Sequence, residues 1–135
     1  MSVSPYLPMR IDQLEAKLRR QIARQLSQHW VRADLSGIYD PAEQEQEQLL
    51  GELRRALLGC RRRDAEDLSA ALLEVEAKAE DLDQLLANTG EWLLDARAFK
   101  SAETKAALDA LRSGHADVRA SLARWMADLR ELEQS

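Results

Sequence analysis

The stretch from Leu108 to Leu132 carries the pattern that most limits what this chain can become. Leu108, Leu111, His115, Val118, Leu122, Trp125, Leu129 and Leu132 follow one another at alternating steps of three and four. Such spacing puts every member on one face of an α-helix, whereas the faces of a strand alternate with period two. It predicts a long, coiled-coil-like C-terminal helix from about Ala102 to Glu133, about 48 Å at 1.5 Å per residue. One seam position is a histidine. A lone polar residue in such a seam fixes register and partner number at some cost in stability, and this is the role predicted for His115. Held neutral in a dry interface, it would have a pKa below the ordinary histidine value, and a leucine in its place would stabilise the fold by about 1 kcal/mol.

Three further stripes precede this one. Ile11, Leu14, Leu18, Ile22, Leu26 and Trp30 mark a first helix starting between Pro8 and Asp12, with residues 1–9 as a poorly ordered extension. "DLSGIYDP" ends it, with Gly37 suited to a left-handed cap. In "DPAE", Asp40 can cap the second helix, Pro41 suits its first position and Glu43 completes a capping box. Leu50, Leu53, Leu57 and Cys60 then form a short seam, while the "EQEQEQ" run, Glu43 to Gln48, reads as a solvated face. A break is predicted in "GCRRRDAED", with Asp64 capping the next helix. That helix shows Leu68, Leu72, Val75, Ala79, Leu82 and Leu86, and "NTG", Asn88 to Gly90, is predicted to close it. "EWLLDARAF" reads as a separate short helix, because Ser101 can cap a fresh start at Ala102.

These elements make an all-α fold: a helical bundle or long helical hairpin of about four helices. At 135 residues, 1–135 is expected to be a single domain. The scarcity of breakers, 5 Gly and 3 Pro, favours few long helices over many strands. The start, "MSVSPYLPMR", lacks the basic and apolar regions of a secretory signal, and no apolar run reaches a membrane span. A single cysteine, Cys60, excludes an internal disulfide. A cytoplasmic location is expected, and 15 arginines against 4 lysines point to a GC-rich bacterial genome. Residues 1–63 carry a net charge of +3 and residues 64–135 one of −8. The asymmetry suggests that the basic half packs beside the acidic half, of this chain or of a second copy.

Catalytic and metal chemistry find little support. Bundle di-metal sites need Glu-x-x-His pairs on facing helices, but Leu26 and Arg112 stand three residues before His29 and His115. No metal and no cofactor are expected. The glycines at 37, 51, 59, 90 and 114 form no phosphate-binding loop. Cys60 lies on an apolar stripe, where cysteine packs as a small hydrophobe. Glu74, Glu76, Glu80, Asp81 and Asp83 read as a solvated acidic face. The chain is therefore not expected to be an enzyme.

"HWVRA", His29 to Ala33, resembles the His-x-x-Lys-Gly core of histidine phosphotransfer domains. The resemblance covers five residues and implies an exposed phosphoryl acceptor at His29, steadied by Arg32, with Ala33 as the small residue. Trp30 and Ala33 depart from the pattern. An alternative is a nucleic-acid-associated protein using Arg54, Arg55, Arg61, Arg62 and Arg63, although the chain has no DNA-binding motif and its net charge of −5 repels phosphate. The principal expectation is a non-enzymatic module of adaptor, chaperone, regulator or immunity type that binds a protein partner through a helical face. Trp30, Trp92, His115, Val118, Leu122 and Trp125 are its candidate contacts, since tryptophan anchors many interfaces. The length of the last seam favours a homodimer.

Overall fold

The computed structural model describes residues 6–34, 40–62 and 65–132. The described residues are helical apart from a few at helix ends and the turn at 97–101, with no strand among them. Helix α1 (Leu7–Lys17), a π-helical segment (Leu18–Ala23) and α2 (Arg24–Ala33) make one continuous rod, since the joining residues keep right-handed helical dihedrals. Then come α3 (Asp40–Gly59), a 3-10 turn (Cys60–Arg62), α4 (Ala65–Ala96) and α5 (Ala102–Glu131). The four rods pack in a ring: 7–33 against α3 and α5, and α4 between α3 and α5. Neighbours are antiparallel. Asp12 meets Arg61 while Glu15 meets Arg54, and Glu76 meets Arg130 while Asp83 meets Arg119. No helix of the described residues is long and apolar enough to cross a membrane.

The π segment follows from the spacing of the apolar stripe. Leu14, Leu18, Ile22, Leu26 and Trp30 recur strictly every four residues. In a straight α-helix each step of four overshoots the face by about 40°, so this stripe would wind away from the core. An i→i+5 segment underwinds the helix and brings the stripe back. All five residues are buried.

The seams fill one core, and Cys60 is buried in it, its thiol donating to the Ala56 carbonyl at 3.5 Å. All eight positions of the α5 seam are buried inside the chain. A four-helix ring consumes a seam of that length, so the surplus that favoured a second copy does not exist. Trp125 is sealed in, its indole donating to the Leu14 carbonyl at 2.8 Å.

Several boundaries differ from the sequence reading. The first helix begins at Leu7, which is buried, so residues 7–9 belong to the bundle. Asp34, left-handed at φ 48°, caps α2. Gly37, Asp64 and Arg63 lie outside the described residues, as does the side chain of Asp40. The predicted break after Gly59 stands, with helix resuming at Ala65. The predicted stop at "NTG" does not: α4 runs through Gly90 to Ala96, and "EWLLDA" is its last part, not a separate helix. Buried Thr89 and Leu93 and partly buried Ala96 continue the seam beyond Leu86, and packing them outweighs the roughly 1 kcal/mol that a mid-helix glycine costs. Ser101 caps α5 as predicted, its hydroxyl accepting from the Thr104 amide at 3.2 Å.

The basic half, as the first rod and α3, packs beside the acidic half, as α4 and α5, although most ion pairs among the described residues stay within one half. Arg54–Glu15 and Arg61–Asp12 lie within the basic half, and Arg119–Asp83 and Arg130–Glu76 within the acidic half. Lys17–Asp128 and Lys78–Glu52 cross between them.

Candidate functional site

At one level of the bundle each rod contributes a polar or aromatic side chain to the core: Trp30, Gln46, Thr89 and His115. Gln46 is fully buried, and the others are no more than 6% exposed. The reading of Glu43 to Gln48 as a solvated face is therefore corrected at Gln46. Extending the α3 seam backwards from Leu50 by four residues reaches it, a signal that the "EQEQEQ" letters obscure.

The donors and acceptors allow one assignment. The Trp30 indole N–H can only donate, and it reaches Gln46 Oε1 at 2.8 Å. The amide nitrogen of Gln46 thus faces the other way, donating to Thr89 Oγ1 at 3.3 Å and to His115 Nε2 at 3.0 Å. A backbone carbonyl can only accept, so His115 Nδ1, 2.8 Å from Leu111 O, carries the imidazole proton. Thr89 donates in turn to Leu85 O at 2.8 Å. The Trp30 and His115 rings meet edge to face, centroids 5.5 Å apart. Every buried polar atom of the layer has a partner, as a stable core demands. Burial holds His115 below the ordinary histidine pKa. The Leu111 carbonyl opposes this, and nearby His29 adds a smaller push downward.

Beside this layer α2 and α3 part. Their separation leaves a cleft of about 220 Å³ lined by Ala23, Leu26, Ser27, Trp30, Glu43, Gln46, Glu47 and Leu50. Its floor is apolar, apart from the Trp30–Gln46 bond. Glu43 and Glu47 stand on its α3 side.

The predicted contact residues divide sharply. Trp30, His115, Val118, Leu122 and Trp125 are buried, so as surface anchors they are corrected: the ring of helices turns the apolar faces of α2 and α5 into its core. Trp30 alone among these five lines the cleft. Trp92 is 46% exposed on α4, and Phe99, in the turn that follows α4, is fully exposed with φ 62°. His29 is half-buried, and its ring lies against Gly114 of α5 rather than standing clear of the surface as the phosphotransfer resemblance implies. In the arginine cluster, Arg54 bonds Glu15 at 2.9 Å and Arg61 lies 3.5 Å from Asp12, while Arg55 and Arg62 are exposed. Glu76 and Asp83 of the acidic face hold Arg130 and Arg119, and Glu74, Glu80 and Asp81 are exposed.

Among the described residues, no cluster of His, Cys, Asp and Glu has the arrangement of a metal site. No protein-family model, curated protein or solved structure matches the chain.

Proposed function

We propose that the protein is a non-enzymatic binding module that takes a segment of a protein partner into the cleft between α2 and α3. The cleft itself carries this reading: an apolar trough opened by the parting of two helices, with carboxylates on one side. Its volume, about 220 Å³, lies below the roughly 300–1,000 Å³ of small-molecule sites. It suits one or two apolar side chains of a peptide, in the manner of a helix or strand laid into a groove. Glu43 and Glu47, with Glu45 on the same helix, favour a segment whose apolar anchor is flanked by Lys or Arg. Trp30, only 6% exposed at the cleft floor, supplies a rigid base against which such an anchor packs.

Selection of a displayed library of random peptides on the full chain tests this. Enriched peptides should share a bulky apolar residue beside basic ones. They should lose binding to Ser27→Trp, which fills the cleft from an exposed position, and to Glu47→Lys. Failure to enrich any peptide, or binding indifferent to both substitutions, would overturn the reading.

A further inference from the structure

The polar layer has only one workable polarity. Gln46 offers one oxygen and one NH2 group, and two of its partners impose opposite demands. Trp30 Nε1 always donates and must face the oxygen, while neutral His115 accepts at Nε2 and must face the NH2 group. A proton on His115 Nε2 turns that acceptor into a donor. If Gln46 stays, its NH2 group faces the new N–H. If it flips, its oxygen serves His115 but its NH2 group faces the indole N–H. No orientation serves both, and in a buried layer an unpaired donor is costly.

We infer that the Trp30–Gln46–His115 relay is a proton-operated latch on the α2–α3 cleft, closed while His115 Nε2 is an acceptor and released when it takes up a proton. The bond that gives way joins two cleft-lining residues, Trp30 on α2 and Gln46 on α3. It crosses the place where these helices have already parted, so its loss frees the Trp30 ring and widens the trough. Charges that bear on the switch are few. From the first rod the group acting on His115 is His29, which opposes protonation. From α3 and α4 the groups touching it are neutral Gln46 and, through Gln46, Thr89. Glu43 and Glu47 line the cleft with Gln46. Burial places the switch on the acid side of the ordinary histidine value.

The inference rests on the cleft being a binding site only for what the latch controls; the latch itself is tested without a partner. The ¹⁵N-labelled full chain is titrated by NMR from about pH 7.5 to about pH 5, across the histidine range. The His115 ring and the indole N–H signals are followed, Trp30 being assigned through Trp30→Phe. Trp125, whose indole is bonded to the Leu14 carbonyl elsewhere in the core, is the internal control. As His115 protonates, solvent exchange of the Trp30 indole proton, taken as a ratio to that of Trp125 at each pH so that the intrinsic slowing in acid cancels, should rise roughly fivefold, the equivalent of one net hydrogen bond. In Gln46→Met the two events should uncouple, with His115 titrating and Trp30 unresponsive. If that variant does not fold, the comparison of Trp30 with Trp125 in the unmodified chain decides alone. Three results would overturn the latch: Trp30 unchanged while His115 titrates, both indoles exposed together in global unfolding, or His115 neutral down to acid denaturation. A peptide enriched on the cleft should bind more tightly once the latch is released; absence of any such peptide refutes the cleft and leaves the indole result standing.

Discussion

The imidazole of His29 occupies the space that a side chain at Gly114 would fill. A Cβ built on Gly114 overlaps the ring of His29 across the α2–α5 interface. Gly114 is itself buried, one residue before His115, so the close approach of these helices sits beside the polar layer. A glycine that looks like a defect in a long helix is the recess that receives a histidine from its neighbour.

Gly114→Ala should therefore destabilise, although alanine is the better helix former by about 1 kcal/mol. Overpacking costs about 1–3 kcal/mol, and half-buried His29 must be displaced to relieve it. Urea unfolding of Gly114→Ala, His29→Ala and the double variant should show rescue in the double. Additive losses would mean that the two residues do not share the space.

Gly90 is the contrasting case. It lies mid-helix in α4, and a Cβ there meets nothing within 4 Å. Gly90→Ala should raise stability by about 1 kcal/mol through helix propensity alone, read as a shift of the urea midpoint at constant slope.

The pH dependence of folding should follow His115. Its folded pKa is lowered from 6.5, chiefly by burial, so below that value the unfolded chain binds the extra proton. The stability due to neutral His115 is whole above pH 6.5 and declines as pH falls through the folded pKa. Equilibrium unfolding at a series of pH values should show this acid-side slope, and His115→Leu should flatten it.

The structure reverses one expectation from the sequence. Leucine at 115 removes the acceptor of a fully buried Gln46 N–H, and an orphaned buried donor costs about 1–3 kcal/mol. His115→Leu should therefore be destabilising near pH 7. The pair His115→Leu with Gln46→Leu should also lose stability, because it strands the Trp30 indole. A further Trp30→Phe should restore part of it. A gain from His115→Leu alone, measured by thermal unfolding, would show that the layer contributes little.

Gln46→Glu should invert the behaviour of His115. A carboxylate at the amide's position, 3.0 Å from Nε2, favours the imidazolium, so the histidine pKa should rise above its present value. The ring proton shift of His115 under NMR titration reads this directly.

Cys60 should resist a thiol reagent in the native protein and react quickly after denaturation, since its side chain is fully buried. Labelling of the folded chain at the rate of a free thiol would contradict the packing of the α3 seam.

Residue spacing alone determined that this chain is helical, which face of each helix is apolar, and where α5 starts. Those properties are local: a period near 3.6, a serine three residues before an amide that it can cap, and too few breakers for anything else. Spacing carries no information about which face meets which. The helix end at "NTG" was misread because a glycine's cost is local while the burial of Leu93 that offsets it is tertiary. Likewise Gln46 reads as one more polar letter in "EQEQEQ" until the ring of helices sets it opposite Trp30, Thr89 and His115. His115 was visible as the polar member of a seam, and its bond to the Leu111 carbonyl is local, but its burial and its contacts with Gln46, Trp30 and, through Gln46, Thr89 depend on residues 26 to 85 positions away in the chain. Hydrogen bonds between rods, and the cleft left where α2 and α3 part, arise only when distant segments are brought within about 3 Å of each other, and tertiary packing alone decides that.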